Sequence, residues 1–129
     1  IETIVTNTSN SGYMPIKASA FNQTSSMKIK ENIVDITEEE ASKILDVNVV
    51  SFDYKENFGG MKDNYGVIAE QVVDVIPYAV SIPEGYNESE FDEGKGINQP
   101  IPSVDYSKFV PYLIKMIQIQ QKQIEELKK

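Results

Sequence analysis

Hydroxyl and amine side chains crowd together at one place in this sequence, Thr24-Ser25-Ser26-Met27-Lys28-Ile29-Lys30-Glu31-Asn32-Ile33. The chain has no His and no Cys, and its 12 basic residues are all Lys. A Ser–His–Asp or Cys hydrolase, a structural zinc site, an iron–sulfur cluster and a disulfide framework are therefore excluded. Covalent chemistry falls to Ser, Thr, Lys, Tyr or a carboxylate, and a serine nucleophile needs a lysine as its general base. A lysine serves that purpose only without its proton, a state that burial favours by penalising the charged form. In an extended chain Lys28 and Lys30 share one face with Ile29 opposite, and a bend at Ser25-Ser26 would fold a lysine back onto a hydroxyl. On spacing alone the same residues also read as a polar turn before a strand whose edge lysines face water.

The elements that must hold this cluster come from a chain of 129 residues, room for one compact domain. The chain opens on Ile rather than Met, which reads as a piece of a longer polypeptide. Its formal charge of −8 without Arg argues against nucleic acid and anionic membranes as partners. No apolar run approaches the ~20 residues that span a bilayer, and no Gly-rich phosphate loop is present, so no cofactor or metal is assigned. Residues 1–12 are rich in Thr, Ser and Asn and read as the end of an upstream β-rich or stalk region, with a β-like start at Ile4 and Val5. Alternation from Ile16 to Ala20 predicts a half-buried strand in 13–21, and a second strand is expected at 29–36.

Thr37-Glu38-Glu39-Glu40 is a capping box, predicting a helix with Ala41, Ile44 and Leu45 on one stripe. A strand follows over 47–55, a turn at Gly59-Gly60, a short helix over 67–76 stopped by Pro77, and a strand over 78–82. Residues 83–100 read as a solvated acidic loop with Tyr86 and Phe91 exposed. From Ser107 a long helix begins, with Pro111 in its first turn. Val110, Leu113, Ile117, Gln120, Ile124 and Leu127 form the a/d seam of a coiled coil. The other residues are so polar that packing sideways on a domain offers this helix little, which points to self-association. The polar layer at Gln120 leaves dimer and trimer both open.

The stretch from Ser25 to Ile33 resembles the S-D-x-x-x-K-x-N-I opening of the endosialidase-type intramolecular chaperones of phage tail spikes and fibres, peptidase family S74. Phe52-Asp53-Tyr54-Lys55 is similar to the family's F-x-Y-K strand, and Gly66-Val67-Ile68-Ala69-Glu70-Gln71-Val72 with Pro77 to its G-x-I-A-Q-E-V…P helix. Val104-Asp105-Tyr106 through Pro111-Tyr112-Leu113-Ile114 resembles its V-D-Y-x-x-L-V-P-L-L-I block. The resemblance implies a homotrimer fused to the end of a phage spike, fibre or appendage, which assists folding of the upstream region of its own polypeptide. It implies release by cleavage between Thr24 and Ser25, with Ser25 as nucleophile and Lys30 as base. Glu31 and Asn32 would support the site. Two departures stand out: Ser26 replaces the usual Asp, becoming a rival nucleophile, and Glu70-Gln71 reverses the usual order.

The expected fold is α+β, a small antiparallel sheet with short helices and a long C-terminal helix in a trimeric coiled coil. Residues 1–24 would be the upstream, pre-cleavage segment, 25–106 the globular chaperone and 107–129 the coiled-coil helix. The setting implied is the virion tail, reached through the host cytoplasm during assembly. The alternatives are a non-cleaving oligomerisation module and a receptor-binding tip.

Overall fold

Thr37 opens the first helix as the sequence predicts: its Oγ1 accepts from the Glu40 amide at 3.1 Å, satisfying a donor left free at a helix start. The computed structural model describes residues 3–129, so the first two residues of the expected 1–24 segment lie outside the described residues. The order is α1 (Glu38–Ser42), β1 (Val50–Phe52), β2 (Asn64–Gly66), α2 (Ala69–Val72), β3 (Val80–Ser81), β4 (Ser103–Val104) and α3 (Val110–Leu127). Instead of one small sheet there are two antiparallel pairs. β1 lies on β2 with Ser51 opposite Tyr65, and β3 lies on β4 with Val80 opposite Val104.

Several elements are shorter than their sequence patterns, and two are absent. The helix expected over 67–76 is confined to α2, and the strands expected over 47–55 and 78–82 shrink to β1 and β3. Residues 13–21 and 29–36 form no strand: apart from the Thr6–Tyr13 bridge, a 3₁₀ turn at Met27–Ile29 and the half-buried Ile36, they run as exposed chain. Alternation specifies a face, but a ladder also needs a neighbouring strand, and a single chain brings none alongside. Pairing itself recruits β2 and β4, whose sequences carry little strand signal.

The core gathers on α3. Val72, Ile76, Ala79, Phe109 and Tyr112 form one buried cluster, and Ala41, Met116 and Ile119 a second, with Ile36 and Ile44 packed against both. Contrary to the sequence expectation, α3 does pack sideways: Tyr112, Met116 and Ile119 follow helical spacing and face α1 and the core. The heptad seam lies elsewhere on the same helix and stays exposed, Ile117 at 65% against 8% for Met116. α3 therefore carries two apolar stripes, only one of which the chain itself covers. Leu45, expected on the α1 stripe, is also exposed, because the helix tightens into a 3₁₀ turn at Lys43–Asp46.

Polar contacts fix the docking of α3. Tyr112 donates its hydroxyl to Glu40 Oε2 at 2.6 Å, and Lys43 donates to Glu40 Oε1 at 2.9 Å. These bonds, Tyr112 first, hold the Glu40 carboxyl below its usual range, while burial and then the Glu40 bond push the Tyr112 phenol up to about 12. A carboxyl with a lowered folded pKa stabilises the fold above its unfolded value of 4.5, and that contribution is lost as pH falls through the folded value. Thermal melts from about pH 7 to about pH 3 are expected to show Tm falling in the acid range. Tyr112→Phe, which keeps the ring and removes the donor, should flatten that fall; an unchanged acid limb would exclude the contact as its source. At the other end, Val67 N donates to the Tyr106 hydroxyl at 3.0 Å. A Cβ on Gly66 would meet that hydroxyl at 2.5 Å, so only glycine admits the approach.

The chain exposes 10650 Å². A compact monomer of 14.5 kDa exposes about 6,900 Å². Much of the difference lies along 13–36 and the outer stripe of α3, where Phe21, Met27, Ile29, Ile33, Val34 and Leu127 are open to water. Among the described residues no helix is long and apolar enough to cross a membrane.

Candidate active site

The site is built by one short turn. Ser26 caps the 3₁₀ turn Met27–Ile29, its Oγ accepting from the Lys28 amide at 3.1 Å, and the Ile29 and Lys30 amides donate back to Ser26 O and Met27 O at 3.1 and 3.2 Å. Five residues of extended chain would separate Ser25 from Lys30 by roughly 16 Å. The turn removes that distance, and Lys30 Nζ donates to Ser25 Oγ at 2.5 Å. The bend expected at Ser25-Ser26 is thus made by the next three residues, with Ser26 supplying the cap rather than the corner. Ser26, the rival nucleophile, has its Oγ turned to a backbone amide.

Thr24 precedes this turn in exposed chain. Lys30 is extended at φ −118°, and Asn32 takes a left-handed φ of 55°, a conformation Asn tolerates better than most residues. Among the described residues no hydrogen bond joins the Glu31 or Asn32 side chain to Ser25 or Lys30. The structure therefore brings Ser25 and Lys30 together and leaves Glu31 and Asn32 beside them without a contact. Ser25, Ser26, Lys30, Glu31 and Asn32 are all exposed in the single chain. A hydroxyl and an amine in hydrogen-bond contact have the geometry that a Ser–Lys dyad would need, and in the single chain this pair is exposed to solvent.

Away from the dyad, the acidic loop proves to be pinned. Lys55 pairs with Glu93, Asn57 Nδ2 donates to Glu93 O at 3.0 Å, and Phe91 stacks on Phe58 with centroids 6.0 Å apart. Tyr86, expected to be exposed, is half-buried. The sequence reading missed the Glu40–Lys43–Tyr112 group and Tyr106. The spacing of Tyr112, Met116 and Ile119 was the available signal, overshadowed by the longer heptad seam on the same helix.

No curated protein matches the chain. The Peptidase S74 family, described as chaperone of endosialidase, matches residues 25–81. The match opens on the serine of the dyad and closes at the end of β3; the 104–114 block that resembles the same family lies beyond it. Over Ser25 through Ser81 the chain is similar to the chaperone-of-endosialidase domain of the Peptidase S74 family.

Proposed function

We propose that this chain is a self-cleaving trimerisation chaperone of a phage tail appendage, which assists folding of its own upstream region and then cuts itself off between Thr24 and Ser25. The observation that carries the reading is the 2.5 Å contact between Lys30 Nζ and Ser25 Oγ, at the residue where the family match begins.

In the proposed reaction Lys30, as a neutral amine, takes the Ser25 hydroxyl proton as Oγ attacks the Thr24 carbonyl carbon. The tetrahedral adduct collapses by breaking the C–N bond, and the proton passes from Lys30 to the departing Ser25 nitrogen. Thr24 is left esterified on Ser25 Oγ. Water then adds to the ester carbon; its hydroxyl stays on Thr24 as the carboxyl, and its proton returns to Oγ. One water is consumed, and the new chain begins at Ser25.

The neutral amine requires a drier setting than the single chain offers. Trimer assembly would supply it. The exposed seam of Val110, Leu113, Ile117, Ile124 and Leu127, together with the surface in excess of a compact monomer, supports burial against two further copies. Cleavage would then follow correct assembly, and the released shaft would stand behind its unfolding barrier. On this reading 1–24 is the pre-cleavage segment, 25–106 the chaperone body and 107–129 the bundling helix, acting in the host cytoplasm and on the virion tail.

Incubation of the assembled chain followed by denaturing mass spectrometry is expected to yield a fragment beginning at Ser25. Ser25→Ala should remain whole while keeping the native oligomer. The second reading, a non-cleaving oligomerisation module, draws support from Ser26 in place of Asp. An assembled oligomer that never yields the fragment would favour it.

A further inference from the structure

We propose that the turn at 93–98 is a latch that keeps the upstream fragment seated after the 24–25 bond is gone, so that scission and separation are two distinct steps. The inference rests on the cleavage reading above and adds what happens to the product.

The upstream piece carries a small structured loop. Asn7 N donates to Gly12 O at 2.9 Å, Met14 N to Val5 O at 3.0 Å, and Asn7 Oδ1 accepts from the Ser11 amide at 2.8 Å. Asn10 stands at its tip with φ 56°. From there Asn10 Nδ2 donates to Asn98 Oδ1 at 2.5 Å, and Asn98 Nδ2 donates back to Asn10 O at 3.2 Å. The two loops face each other across a cleft of about 500 Å³ lined by Asn7, Ser11, Asn57, Lys95 and Asn98.

The seat for Asn98 is held firmly on the chaperone side. Gly96 is buried at φ 55°, where a Cβ would lie 2.7 Å from Asn57 O, so the turn is pressed onto the segment following β1. Gln99 Nε2 donates to Asp92 O and Gly96 O at 2.7 and 2.8 Å, closing the turn from below. The chain between the loops passes through exposed residues 14–25, which contain the proposed cut. Cutting there removes the covalent path and leaves the Asn10–Asn98 pairing untouched.

The test uses the full chain with residues 17–22 replaced by a site-specific protease sequence, cut by the added enzyme. The result is then independent of whether Ser25 cuts the chain itself. The upstream fragment is expected to co-elute with the remainder on size exclusion. Asn98→Ala, which removes both bonds, should shorten its residence ~10-fold. Asn10→Gly keeps the left-handed backbone and the accepting carbonyl while removing one bond, so its effect should be smaller. Should Asn98→Ala lose its fold by circular dichroism, Asn10→Gly alone decides. Equal release from the native chain and the variants, or immediate loss from the native chain, overturns the latch.

Discussion

Lys30→Arg is expected to leave the chain uncut, slowing appearance of the Ser25 fragment by ~10²–10⁴-fold, the usual worth of a positioned general base. Arginine keeps the positive charge and the length to reach Ser25 Oγ, now 2.5 Å from the lysine amine. It cannot give up a proton in a protein, so it preserves every role of Lys30 except that of base. A purely structural lysine that pairs charge or braces the turn would be rescued by arginine. Denaturing mass spectrometry over time, with the oligomer checked by light scattering, separates the two. Cleavage at the native rate in the Arg variant would remove Lys30 from the mechanism while leaving the turn and its contacts as described.

Ile117→Asp is expected to convert the proposed trimer, three times 14.5 kDa, into single chains, read as the mass from light scattering. Ile117 is 65% exposed and contributes nothing to either buried cluster, so the fold of the single chain should survive the change. In the proposed bundle the same side chain would occupy a core position, where three unpaired carboxylates would be buried together. Met116→Ala, one residue away, should do the reverse. It opens the contact of α3 with α1 at a cost of about 2–5 kcal/mol in the stability of each chain, without touching the seam. A variant at Ile117 that stays trimeric would show that the outer stripe is not the interface. Loss of the trimer should also abolish cleavage if assembly is what dries Lys30, which makes the two predictions dependent in one direction only.

The parts of this fold legible in the sequence are those set by local chemistry. Thr37 followed by Glu40 specifies a capped helix, Gly59-Gly60 a turn with φ of 106° and 66°, and Pro111 a helix start. A lysine folding back onto a hydroxyl was legible as a bend, because the span is short enough for one turn to decide it, while the choice of Ser25 and Lys30 came from the family resemblance. What depends on distant partners was not. Asn64 and Tyr65 become strand only because β1 lies beside them, and the alternating Ile16–Ala20 stays out of any strand because nothing does. The buried stripe of α3 was hidden by a second pattern on the same helix. Residues such as Tyr112 serve the chain's own core, while Ile117 stands ready for another.

The Ser25 hydroxyl and the Lys30 amine meet within one chain, five positions apart on the same backbone. On the proposed reading, each chain would therefore carry both groups of its own reaction centre. Were the chain to assemble and cut as proposed, oligomers mixing native and Ser25→Ala chains would hold copies that process themselves beside copies that stay whole.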